Sequence, residues 1–203
     1  VYHTLEHILY VLKKLESKGV LDDDILFLAA VFHDIVYLPL SESNEEDSGH
    51  FFQSHYHGNT DLRDEVIDII LDTKTHKGRT EKSRLFCECD RAILNEPLDV
   101  LIQYERQIFK EFQVLDWKLY KKIRLEWLEN NAEGQNIEAL KSYLRTFKPH
   151  IGVYAGSFNP FHLGHFNILQ KAENIFDKVI IAYGKNTMKN AENWEKPKGL
   201  WYR

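Results

Sequence analysis

Glycine and proline are spread so unevenly along this 203-residue chain that they mark where its architecture must change. Five of the ten glycines fall in residues 1–151 and the other five crowd into 152–199, while Pro39 and Pro97 are the only prolines before Pro149. Over the first three quarters, therefore, few residues interrupt a helix. Apolar spacing agrees. Leu5, Ile8, Leu9, Leu12 and Leu15 recur at helical intervals, as do Val66, Ile69 and Ile70. Tyr104, Ile108, Phe112, Leu115 and Leu119 carry one long amphipathic stretch to about Leu128. Asn130 to Asn136, holding Gly134, reads as a turn, Ile137 to Phe147 as a last helix, and Lys148–Pro149–His150 as a compact linker. Then the period changes. Ile151, Val153 and Ala155 alternate as a short strand, followed by a glycine-bearing loop and a helix from about Gly164 to Phe176. Val179 to Ala182 reads as a second, buried strand. The expected fold is mainly α, with an all-helical domain over residues 1–147 and one βαβ unit within residues 150–203.

Composition narrows the function classes. A net charge of −5 argues against broad nucleic-acid binding, leaving small anionic ligands if cations converge locally. The longest apolar run, Ile25 to Phe32, is far short of the roughly 20 residues of a membrane-spanning helix. Cys87 and Cys89 are too close for an ordinary disulfide and too few for a zinc knuckle, so a reducing, cytoplasmic setting is expected. No signal peptide is visible, and the opening Val1 reads as the start of a fragment.

The helical part carries one sharp constellation. His33–Asp34 ends the apolar run, where an ionised aspartate is costly unless something positive compensates it. A metal ion supplies such a charge, and imidazole with carboxylate is a suitable ligand pair. Upstream, His3 and His7 stand four apart and share a helix face. Downstream, Asp90 opens another apolar helix, Ala92–Ile93–Leu94. Taken alone, His33–Asp34 is more often the polar end of a helix than a metal site; the ordered combination is the stronger signal.

Five segments in register carry a family likeness: Tyr2–Ile8 (YHTLEHI), Phe32–Tyr37 (FHDIVY), Asn44–Ser48 (NEEDS), Asp72–His76 (DTKTH) and Glu88–Leu94 (ECDRAIL). Through them residues 1–147 resemble the HD superfamily of metal-dependent phosphohydrolases. That resemblance implies His33, Asp34 and Asp90 as ligands of a divalent transition metal (Mn, Fe, Co, Ni or Zn), with His7 preferred to His3 as the first histidine. A metal-activated water would attack a phosphoryl group, with Glu46, or its neighbour Glu45, relaying the proton. Lys74 and His76 are candidates for the substrate phosphate. Arg79, His50, His55 and His57 read as surface residues.

A second motif follows the linker. Residues 154–165, YAGSFNPFHLGH, place a glycine-bearing loop between a strand and a helix, where backbone N–H groups and the helix N-terminus can face a phosphate. His162 and His165 sit at that helix start. This segment resembles the HxGH nucleotidyltransferases, most closely the phosphopantetheine adenylyltransferase family. The resemblance implies a Rossmann-like fold, Ser157 and Phe158 lining a nucleotide site, His162 and His165 at the transferring phosphate, and Lys189 on a substrate phosphate. His162 departs from the threonine or serine usual in that family. The stretch from His150 onward is also much shorter than a domain of about 150 residues. The unit is thus expected to be incomplete, with ATP a cofactor only of an intact transferase. The leading expectation is a phosphohydrolase acting on a phosphorylated small molecule or nucleotide. The alternatives are an adenylyltransferase with a regulatory helical domain, and a ligand-binding module without catalysis.

Overall fold

The computed structural model describes residues 1–184; Lys189 lies outside them. Eight helices come first: α1 (Leu5–Ser17), α2 (Asp24–Phe32), α3 (Asn44–His55), α4 (Thr60–Thr73), α5 (Glu81–Asp90), α6 (Leu98–Glu111), α7 (Trp117–Asn131) and α8 (Gln135–Thr146). A 3-10 turn, Arg91–Asn95, joins α5 to α6. Then β1 (Ile151–Gly156), α9 (Leu163–Glu173) and β2 (Lys178–Tyr183) form a parallel βαβ unit, with Ile151 opposite Lys178 and Gly156 opposite Tyr183.

Local chemistry sets the helix starts. Thr4 accepts from the Glu6 amide, Asp23 from those of Ile25 and Leu26, Asn59 from those of Asp61 and Leu62, and Thr80 from that of Ser83. Each satisfies an amide that the first turn leaves without an intrahelical partner. Gly19, at φ +72°, takes the left-handed conformation just past α1 that other residues enter at a cost.

Two expectations about the helices need correction. The long amphipathic stretch is two helices, because the chain turns at Phe112–Asp116 and Asp116 caps α7 by accepting from the Lys118 and Leu119 amides. Asp90 ends α5 and, as expected, stands at the start of the next helical turn, the 3-10 turn Arg91–Asn95 that holds Ala92–Ile93–Leu94. His3 precedes the cap Thr4, so His3 and His7 do not share a face of α1.

Two apolar clusters build the helical part. Val11, Leu15, Leu26, Phe52, Ile69 and Phe86 belong to the first, formed by α1 to α5. Leu101, Ile108, Phe109, Leu128, Ile137 and Leu140 belong to the second, formed by α6 to α8. Tyr2 stands at their junction, its ring 4.6 Å from those of both His7 and Tyr104.

The βαβ unit is much less covered. Val153 is 67% exposed and Ile180 44%, so β2 is half open rather than buried as expected. One helix covers only one face of a two-stranded sheet, and the other face meets water. The unit reaches the helical part through Gln113, which donates to the Asp177 carbonyl at 3.2 Å. Lys178 Nζ returns the contact, donating to the carbonyls of Gln113 and Leu115 at 2.7 Å each.

Candidate functional site

Three helices deliver four side chains to one point. His7 comes from α1, His33 and Asp34 from the end of α2, and Asp90 from the end of α5. His7 Nε2 lies 3.1 Å from His33 Nε2 and 3.0 Å from Asp90 Oδ1. His33 Nε2 lies 3.0 Å from Asp34 Oδ2 and 3.5 Å from Asp90 Oδ1. Both imidazoles are buried. His33 Nδ1 donates to the Ala30 carbonyl at 3.1 Å, which leaves Nε2 as the nitrogen facing the carboxylates.

The charges in this cluster depend on one another. Burial alone would push the His33 imidazole down, yet Asp34 and Asp90 together hold it well above its usual range. Burial opposes ionisation of Asp90 too, and the His33, His7 and His76 rings outweigh it, holding the carboxyl well below the usual range. Two nearly buried carboxylates thus demand positive charge at this spot, from a proton or from a cation. A cation fits the donor set. Ligand atoms on an ion at about 2.1 Å stand roughly 3 Å apart, and a mixed nitrogen and oxygen set suits first-row divalent metals. His7, His33 and Asp34 offer ligand atoms all within 4.8 Å of one another.

The other expected residues divide. His3 Nδ1 donates to Glu111 Oε2 at 2.8 Å, and the His3 ring stacks on Tyr37 at 3.8 Å, so His3 is held beside the cluster rather than in it. His76 donates from Nε2 to Asp90 Oδ2 at 3.0 Å and steadies that carboxylate. Glu46 instead takes the Lys74 ammonium at 2.5 Å, and Lys74 also donates to the Glu42 carbonyl. These two committed charges do not line the cavity of about 270 Å³ over the cluster, whereas Glu45 does. Successive helical residues point about 100° apart, so only one of the two glutamates can face inward. Arg79 is paired with Asp72 and Asp68 on the surface, and His50, His55 and His57 are exposed. The Cys87 thiol, pushed up to about 12 chiefly by burial, stays protonated and is a poor metal ligand.

Sequence reading missed two parts of this site. Glu111 accepts the backbone amides of Tyr2 and His3 at 2.6 and 2.7 Å and anchors the segment leading into α1. Arg124, which lines the cavity, forms a buried ion pair with Glu105 at 2.8 Å. Nothing in the sequence marks either pairing, because the partners lie on different helices.

In the βαβ unit, His162 caps α9. Its Nδ1 accepts from the Gly164 amide at 3.1 Å, and His165 Nδ1 accepts from the His162 amide at 3.3 Å. The two rings stack at 3.7 Å. Phe158 is 3% exposed, packed against Tyr154 and His165, and so belongs to the interior of the unit. Ser157, in the loop between β1 and α9, is partly exposed.

Residues 153–198 match the cytidylyltransferase-like family, so this segment is nucleotidyltransferase-like. Among similar proteins, the phosphopantetheine adenylyltransferase of Mycoplasma capricolum subsp. capricolum is 55% identical over 42 residues, 21% of this chain and 30% of that protein. That of Geotalea daltonii is 49% identical over 41 residues, 20% of this chain and 26% of that one. That of Cytophaga hutchinsonii is 50% identical over 40 residues, 20% and 27% of the two chains. The chain thus spans less than a third of the length of these relatives. No solved structure matches it.

Proposed function

We propose that this chain joins two phosphate chemistries: a metal-dependent phosphohydrolase of the HD type in residues 1–147, and part of an adenylyltransferase-like unit in residues 150–203. The comparisons support only the second. The first rests on one observation, the convergence of the His7 and His33 Nε2 atoms with carboxylate oxygens of Asp34 and Asp90. These four would hold a divalent ion, which supplies Lewis acidity toward a phosphoryl oxygen and a lowered pKa for an attacking water. His76 orients Asp90 through its hydrogen bond. Tyr2 and Tyr104, packed together beside His7, keep bulk water from that side. Glu45, lining the cavity, is the carboxylate that takes the proton in place of Glu46. The substrate is a phosphorylated small molecule.

Turnover of p-nitrophenyl phosphate with Mn²⁺ added tests this reading, and its absence with every first-row divalent metal would favour a binding module. Glu45→Gln is expected to slow that turnover by roughly 100-fold with metal content unchanged. Glu46→Gln is expected to leave the rate within about twofold, because its partner Lys74 stands outside the cavity. Equal losses in the two variants would show the assignment wrong.

For residues 150–203 the match to the cytidylyltransferase-like family and the likeness to adenylyltransferases support a nucleotidyltransferase reading with ATP as nucleotide; in the alternative to hydrolysis, the helical part regulates that unit. His162 and His165 at the start of α9 would face the transferring phosphate, with Ser157 beside them and Lys189 further along. Nucleotidyl transfer depends on holding the triphosphate from both sides. This chain covers 30% or less of the relatives that carry out the whole reaction. The 203-residue chain is therefore expected to release no pyrophosphate from ATP and 4′-phosphopantetheine. Release by this chain alone would overturn that expectation.

A further inference from the structure

The cavity over the cluster has two unlike ends. His7, His33, Asp34 and Asp90 make the polar one. The other is built by the end of α6, the turn after it and α7, which give Ile108, Phe112, Leu115, Ile123 and Trp127. Among the described residues, the cations that line the cavity outside the cluster are committed elsewhere. Arg124 is paired with Glu105 at 2.8 Å and hydrogen-bonded to Tyr104. Arg91 donates from Nη2 to the carbonyl of Asn131, a residue that lines the neighbouring cleft and not this cavity. His3 is bonded to Glu111 and His76 to Asp90. An anionic group at the α6–α7 end would therefore shed its hydration with no free charge to receive it, whereas an apolar group gains by leaving water.

The mouth gives a second, independent sign. Leu40 and Ile123 both line the cavity, yet they are 55% and 47% exposed. The Leu38 carbonyl accepts from the Ser41 amide at 3.0 Å and closes a turn in which Pro39 is second and Leu40 third. Leu40 stands there at φ +69°, a conformation that such turns ordinarily give to glycine or asparagine. Asn44 pins the turn, accepting from the Leu38 amide at 2.9 Å and donating to its carbonyl at 3.0 Å. A leucine both strained and exposed at the opening is stabilised when an apolar ligand covers it. Benzene fits a void of about 150 Å³, so about 270 Å³ has room for a phosphate and a chain or ring of roughly six carbons. We propose that the cavity takes a phosphate monoester with a compact apolar leaving group of that size. Its phosphate lies at the His7–His33–Asp34–Asp90 end and its hydrocarbon against the α6–α7 wall, under Leu40. This deepens the phosphohydrolase reading and rests on it for the phosphate end alone.

The test compares methyl-, butyl- and hexylphosphonic acid, whose C–P bond is not hydrolysed, by calorimetry on the full chain with Mn²⁺ added. The hexyl compound is expected to bind at least about thirtyfold more tightly than the methyl one, from the gain per buried methylene. 5-Carboxypentylphosphonic acid, with an anion at its far end, is expected to bind at least about tenfold less tightly than hexyl. Leu40→Gly and Ile123→Ser are each expected to cut the hexyl advantage about fivefold and to leave the methyl compound within about twofold. Leu40→Gly is also expected to melt no lower than the unaltered protein, because glycine enters the turn conformation freely. A leucine with a structural role only would lower the melting temperature and leave the chain-length series as it was. No binding by any probe, a flat series, a carboxylate bound as tightly as hexyl, or an advantage untouched by both variants would each overturn the proposal. A chain-length series without turnover of hexyl phosphate would count against hydrolysis and leave the apolar subsite standing. Turnover of p-nitrophenyl phosphate with a flat series does the reverse.

Discussion

Asp90→Ala is expected to strip the protein of bound divalent metal and to lower phosphomonoester turnover by at least about a hundredfold. Asp90 meets the three imidazoles of His7, His33 and His76 within 3.5 Å, more than any other side chain of the cluster. Removing it deletes one proposed ligand and frees two others from the carboxylate that turns them inward. It also leaves Asp34 as the sole carboxylate of the set, halving the negative charge that calls for a cation. Metal content by elemental analysis and turnover of p-nitrophenyl phosphate check the two halves of the result separately. Stoichiometric metal retained in the variant would remove Asp90 from the ligand set, whatever happened to the rate. Asp34→Ala is expected to give the same pair of losses.

Phe86→Ala is expected to cost about 3–5 kcal/mol of stability, a large share of what a domain of this size has. The ring is fully buried in the core formed by α1 to α5. It also stands edge-on to His33 at 5.6 Å, so the void would open directly behind a proposed metal ligand. Urea denaturation of the metal-free protein reads the core contribution without the ion's own stabilisation. Phe86→Leu, which keeps most of the volume, is expected to lose about 1 kcal/mol. A loss near zero for Phe86→Ala would mean that the helices close up around the missing ring, and the packing argument for His33 would fail with it.

How much of this was legible beforehand differs residue by residue. The apolar period of α1 and α4 and the glycine-rich turn to the βαβ unit were readable, because both are local. The break at Phe112–Asp116 was not, since Phe112 and Leu115 continue the apolar spacing and only the capping by Asp116 reveals a new start. His3 and His7 are equivalent by spacing alone. Thr4 as the cap separates them, placing His3 before the helix and His7 within it. Glu45 and Glu46 are likewise indistinguishable in a run of acids, and the approach of Lys74 from the end of α4 decides which one turns outward.

The sequence by itself determined that a helical part precedes a strand–helix–strand unit, that the architecture changes near Pro149, and which residue types are available for a metal and for a phosphate. Those depend on the side-chain period, on caps and on backbone-restricted residues, all of which act over a few positions. Only the tertiary structure decided that residues 7, 33, 34 and 90 meet, that Glu111 holds His3 aside, and that Arg124 is buried in an ion pair with Glu105. Each of these pairings joins elements far apart in the chain. They come together because apolar faces of α1, α2, α5, α6 and α7 must be buried against one another, and that packing fixes distances which no local pattern encodes.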